Sequence, residues 1–202
     1  MLNLKRIATD CDETLFCMMP AFSKVLMEWY GAVVLPADGY QIKTDPAISD
    51  GETWNIFYHL YKNYDMCKPY PGAKEYLEKI YNITRKPPII ITSRPEGFES
   101  ATHSQIRDLV GDLPFHLIIT GTPAKKKYLY SDIFDIIVDD KIETIIHLVE
   151  TCGKLGIVVD RPWNKQDPGM VMYAWHMNKF MIRVDGVHQI TPFLPLLLAG
   201  TI

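Results

Sequence analysis

The 202-residue chain reads as an α/β protein built on a parallel sheet with helices on both faces. Three observations predict this. Short apolar runs recur along the chain. They are continuous rather than alternating, as strands buried on both faces should be. Segments of helical periodicity separate them. The runs are "RIATD" (6–10), "PPIIITSR" (87–94), "FHLIITG" (115–121), "FDIIVDD" (134–140) and "LGIVVDR" (155–161), with "KFMIRVD" (179–185) as a candidate sixth.

The helical segments follow from spacing. "GAKEYLEKIYN" (72–82) puts Ala73, Tyr76, Leu77 and Ile80 on one face. "SATHSQIRDLVGD" (100–112) opens on a serine suited to capping, and "IETIIHLVETCGK" (142–154) ends near Gly153, a helix-stopping residue. Residues 17–70 break the rhythm. "AFSKVLMEWY" and "GETWNIFYHLYKNY" read as helices, and the stretch between them reads as loop without a buried strand. The expected organisation is a core of residues 1–16 and 71–202 with a small helical cap, residues 17–70, inserted after the first strand. The cap is rich in aromatics, among them Trp29, Tyr30, Trp54, Phe57, Tyr58, Tyr61 and Tyr64. Most should pack its own small core, and a few should face a ligand.

Bulk properties narrow the function classes. The formal net charge is -3, so no broad basic face exists to hold a nucleic acid polymer. None of the four cysteines forms a C-x-x-C pair, which argues for free thiols in a reducing, cytoplasmic setting. Met1 to Asp10 lacks the layout of a signal peptide. The apolar stretch 193–202 is too short to span a bilayer and contains Pro195, so no membrane association is expected. The sequence leaves the oligomeric state open, a homodimer included.

The chemistry lies at the ends of the predicted strands. Asp10 and Asp12 follow the first, Thr92 and Ser93 end the second, and Asp139 and Asp140 end the acidic one, preceded by the run Lys125 to Lys127. In an open parallel sheet, ligands bind beyond the carboxyl ends of the strands, so these residues should converge in one cleft. Singly, each has an ordinary explanation as a turn, a cap or a solvated charge. Together they describe phosphoryl transfer. Four crowded carboxylates resist ionising together, and a divalent cation relieves the repulsion. Hard oxygen donors without His or Cys favour Mg2+. One Asp can attack phosphorus while another moves the proton. Hydroxyls and a lysine can hold the phosphate oxygens.

These residues also resemble a known family. "DCDETL" (10–15), "IIITS" (89–93), a lysine of "AKKKYL" (124–129) and "IIVDD" (136–140) are similar, in order, to the four motifs of the haloacid dehalogenase (HAD) superfamily of hydrolases. "YPGAKEYLEKI" (70–80) resembles the stretch where that family's chain re-enters its Rossmann-like core after a cap. The resemblance implies that Asp10 is the nucleophile and a Mg2+ ligand, and that Asp12 is the general acid/base with its carbonyl on the metal. It implies that Thr92 binds phosphate and that Asp139 and Asp140 hold the metal. Ser93 could add a phosphate hydrogen bond. Lys125 is the expected phosphate lysine, from its spacing to "YL", with Lys126 its close competitor.

Two departures from the family pattern stand out. Glu13 occupies a position where many members have Gly. Arg94 follows the second motif and is expected on the surface. Size, cap and "VVDRPWN" (158–164) resemble the 5'(3')-deoxyribonucleotidases, specifically the bacterial and phage type. The expected function is therefore a Mg2+-dependent 5'-nucleotidase, a phosphatase hydrolysing a (deoxy)nucleoside monophosphate through an aspartyl-phosphate. Phe16, Trp54 and Phe57 are candidates to contact the base or sugar. The alternatives are a phosphatase for a sugar phosphate or phosphoprotein, and a catalytically silent nucleotide-binding protein.

Overall fold

In the computed structural model, residues 4–36, 42–121, 124–165 and 181–201 are described, residues 124–126 by their backbone alone. The six apolar runs form one parallel sheet. Its strands are β1 (Ile7–Thr9), β6 (Ile89–Thr92), β7 (His116–Ile119), β8 (Ile136–Asp139), β9 (Leu155–Val159) and β10 (Met181–Val184), in the order β10-β9-β8-β1-β6-β7. Strands β1, β6 and β8 are buried along their whole length, as their unbroken aliphatic composition requires. The edge strands β7 and β10 are only partly buried, because a neighbour covers them on one side alone.

The order reverses at β1, which pairs with β6 on one side and β8 on the other. From β1 the chain crosses to β6 and β7 on one side and then returns to β8 on the other, so a crevice opens beyond the carboxyl ends of β1 and β8. Thr9 stands level with Val138, and the Asp10 N–H donates to the Val138 carbonyl at 2.8 Å. The acid-bearing ends of these two strands are therefore locked side by side.

Helix α3 (Ala73–Thr84) buries Ala73, Tyr76, Leu77 and Ile80, the face its spacing predicted. It packs on the sheet with the C-terminal helices α6 (Val187–Ile190) and α7 (Leu194–Ala199). Helix α5 (Ile142–Cys152) covers the opposite face with Ile142, Ile145, Leu148 and Val149, and Gly153 ends it in the left-handed conformation. Helix α4 (Glu99–Val110) begins one residue earlier than expected. Ser100 lies inside it, and the preceding residue, Phe98, supplies no side-chain cap.

Between β1 and α3 lie two helices, α1 (Met19–Tyr30) and α2 (Asp50–Lys62), with a core of their own built on Phe22, Leu26, Ile56 and Leu60. Ser49 and Glu52 form a reciprocal capping box that starts α2. The chain enters and leaves this region through two short antiparallel strands, β2 (Phe16–Cys17) and β5 (Lys68–Pro69). The stretch read as loop holds a second short pair, β3 (Val33–Val34) with β4 (Thr44–Asp45). Among the described residues, no helix is long and apolar enough to cross a membrane.

Candidate active site

Strand β1 ends at Thr9, and the next residue, Asp10, sits at the crevice, 6% exposed. Strand β8 delivers Asp139 and, one residue on, Asp140, both nearly fully buried. Carboxylate oxygens of Asp10, Asp139 and Asp140 lie within 4.8 Å of one another. Burial pushes the Asp10 carboxyl up to about 7. Lys127 opposes that shift, and the charges of Asp139 and Asp12 add to it. Asp140 is held well above the carboxylate range, by burial first and then by Asp139 and Asp10.

A buried lysine compensates part of this charge, and it is the last of the run. Lys127, 2% exposed on the 3-10 helix Ala124–Ile133, donates from Nζ to Asp10 Oδ1 and to Asp139 Oδ2, the second at 2.7 Å. Burial alone would lower its pKa, but the two carboxylates outweigh that and hold the ammonium charged. The side chains of Lys125, the expected phosphate lysine, and of Lys126 lie outside the described residues. Among the described side chains, the lysine seated on the carboxylates is Lys127.

Asp12 turns elsewhere. Its carboxylate accepts from Arg94 Nη2 at 2.6 Å and from Arg94 Nε at 3.1 Å. Arg94 is not on the surface as expected but is 1% exposed. Its position between Thr92 and α4 turns the side chain inward, and Asp12 is the counter-ion that makes such burial tolerable. Thr92 ends β6, the neighbour of β1, and is buried. Ser93 follows, and its buried Oγ has no hydrogen-bond partner among the described residues.

Glu13 adopts a left-handed backbone, φ 57°. This is a conformation that Gly takes without strain. The glutamate compensates with its side chain. Oε1 accepts the N–H groups of Met18 and Met19 at 2.7 and 2.8 Å, at the N-terminus of α1 where negative charge is favoured. Oε2 accepts the Tyr70 hydroxyl. Arg161 reaches in from β9, donates from Nε to the Glu13 carbonyl at 2.7 Å and lies 4.0 Å over the Tyr70 ring. The residues that flank the α1–α2 region are thus tied at one point.

The "RPWN" segment gives the acids further support. Trp163 Nε1 donates to Asp140 Oδ2 at 2.9 Å, and Asn164 Nδ2 donates to the Asp140 carbonyl at 2.7 Å. The roles of Lys127, Arg94, Trp163 and Asn164 were not assigned from sequence.

The aromatic candidates divide. Phe16, a candidate to contact the base or sugar, is 2% exposed within the main core, with Leu15, Tyr76 and Leu77 among the residues of that cluster. Phe57 is partly buried in the core of the α1–α2 region, 5.0 Å from the Phe22 ring. Trp54 is 38% exposed on α2, beside Phe57 and Tyr58. Tyr58 in turn stacks on Phe98, in the loop that follows Thr92.

The donor set fits a divalent cation. Asp10, Asp12, Glu13, Asp139 and Asp140 face Lys127, Arg94 and Arg161, so the acids outnumber the bases by two. The clustered donors of Asp10, Asp139 and Asp140 are all carboxylate oxygens, as a hard ion such as Mg2+ prefers.

No family model and no curated protein matches the sequence. Solved structures do. L-2-haloacid dehalogenase from Xanthobacter autotrophicus superposes with a TM-score of 0.56 at 9% identity, over 95% of this chain and 98% of that one. A phosphonoacetaldehyde hydrolase-like protein from Oleispira antarctica gives 0.58 at 14% identity, over 98% and 95%. A haloacid dehalogenase-like family hydrolase from Xanthomonas campestris gives 0.52 at 11% identity, over the full length of both chains. At these identities the likeness shows the fold, and that fold is the Rossmann-like α/β fold of the haloacid dehalogenase-type hydrolases.

Proposed function

We propose that the chain is a Mg2+-dependent phosphomonoesterase acting on a nucleoside monophosphate, with a deoxyribonucleotide preferred. The observation that carries the phosphoryl-transfer reading is the Asp10, Asp139 and Asp140 cluster with Lys127 seated on it at the β1/β8 crevice. Asp10 Oδ attacks phosphorus, and the bond from phosphorus to the ester oxygen breaks. Asp12 gives a proton to the departing oxygen. A water then attacks phosphorus of the aspartyl-phosphate and loses its proton to Asp12. The bond to Asp10 breaks and inorganic phosphate leaves. Lys127, Thr92 and Ser93 donate to the phosphoryl oxygens, where negative charge must be held throughout. Asp10, Asp139 and Asp140 would hold Mg2+, which when bound offsets phosphoryl charge as a Lewis acid.

The nucleotide part rests on the aromatic side chains of α2. Trp54 and Tyr58 present partly exposed rings beside the loop after Thr92, a surface suited to a planar base. The test is phosphate release, with and without Mg2+, from a panel holding dTMP, dUMP, a hexose phosphate and a phosphopeptide. A preference for the nucleotides supports the proposal. A preference for sugar phosphate or phosphopeptide overturns the substrate, and no Mg2+-dependent release from any member overturns the chemistry.

A further inference from the structure

Arg94 is committed on three sides. Nε and Nη2 donate to the Asp12 carboxylate, Nη1 donates to Thr102 Oγ1 at 3.1 Å, and the guanidinium lies 4.9 Å over the Tyr61 ring. Thr102 belongs to α4 and Tyr61 to α2, and both are buried. A planar fork bound through two nitrogens leaves a carboxylate one orientation, where a single ammonium would let it swing. Asp12 is 23% exposed at its side chain, whereas its partner is enclosed, so the arginine is the fixed member of the pair.

We propose that Arg94 is a positioning residue for Asp12. It fixes where the proton-transferring carboxylate points, and it takes its own place from Thr102 on α4 and Tyr61 on α2. The inference rests on the phosphoryl-transfer reading above and adds to it the part that aims its acid. A plain structural ion pair is the competing account.

The two accounts differ in how the loss depends on the leaving group. The alkoxide leaving dTMP is a strong base and needs a proton as it departs. The p-nitrophenolate leaving p-nitrophenyl phosphate does not. The value of kcat/KM reports the steps through formation of the aspartyl-phosphate, so it reads the departure itself. Arg94→Lys keeps the positive charge and removes the fork. Thr102→Val removes one anchor of the guanidinium.

With saturating Mg2+, Arg94→Lys is expected to raise the ratio of kcat/KM for p-nitrophenyl phosphate over dTMP by at least about tenfold. Thr102→Val should raise it in the same direction by a smaller factor. Adding Arg94→Lys to Asp12→Asn should cost dTMP hydrolysis nothing further. A ratio unchanged within about twofold overturns the proposal, whether both rates hold or both fall. If Arg94→Lys does not fold, Thr102→Val decides by the same ratio. A wild-type chain that hydrolyses neither ester removes the phosphatase reading and this one with it. An active wild type with an unmoved ratio removes this one alone.

Discussion

Trp163 donates its indole N–H to Oδ2 of Asp140 at 2.9 Å, while Asn164 beside it holds the carbonyl of the same aspartate. The carboxylate is thereby fixed in rotation before any cation arrives. Partners of this kind typically contribute ten- to a hundredfold in metal affinity, roughly. Trp163→Phe keeps most of the ring packing and deletes the donor. The Mg2+ concentration for half-maximal activity should rise about tenfold or more, with kcat at saturating Mg2+ much less affected. An unchanged Mg2+ titration would contradict the support role.

Lys127 is the second testable contact. Removing it leaves Asp10 and Asp139 buried without their cation, a loss that typically costs about 3–5 kcal/mol. Lys127→Met should therefore lower the urea midpoint strongly in chelator. Excess Mg2+ should narrow the gap to wild type, because a cation on the same carboxylates replaces part of the missing charge. A gap of equal size in chelator and in Mg2+ would mean that the acids do not bind the ion.

Glu13 sets two terms against each other. Glu13→Gly relieves a left-handed residue, a gain of about 1 kcal/mol. It also deletes a carboxylate that accepts Met18 N–H, Met19 N–H and the Tyr70 hydroxyl, at roughly 1.5–3 kcal/mol per charge-assisted bond. The second term wins. The variant is expected to unfold at a lower temperature than wild type. A raised Tm would show that strain, not the clasp, dominates there.

Phe16 and Trp54 should separate cleanly. Phe16→Ala opens a void in the main core and is expected to cost about 3–5 kcal/mol. Trp54→Ala touches a partly exposed ring and should move stability by no more than about 1 kcal/mol. If the base rests on α2, Trp54→Ala raises KM for dTMP while leaving KM for p-nitrophenyl phosphate close to wild type. Equal KM changes on the two esters would remove Trp54 from base recognition.

The sheet was legible because its central strands are mainly aliphatic runs, and burial on both faces demands that composition whatever the order of the strands. The face of α3 was legible for the same reason, since Ala73, Tyr76, Leu77 and Ile80 fall on one stripe. The acids were legible because strand ends in such a sheet share an edge. What escaped depends on the register of loops. Lys127 escaped because its entry into the crevice is set by the turn of the 3-10 helix, which spacing to "YL" does not report. Arg94 escaped because a lone arginine after a strand usually faces water. Its burial depends on Asp12, 82 residues earlier, and on Thr102.

The most direct measurement is phosphate release from dTMP by Asp10→Asn in the presence of Mg2+. The substitution keeps the size of the side chain and leaves Lys127 its bond to Asp139, so the fold should persist, as circular dichroism and Tm will show. A nucleophile that carries a covalent intermediate cannot be replaced by an amide, and the rate should fall by at least about a thousandfold. A folded Asp10→Asn chain releasing phosphate at the wild-type rate would contradict the assignment of Asp10 as the nucleophile.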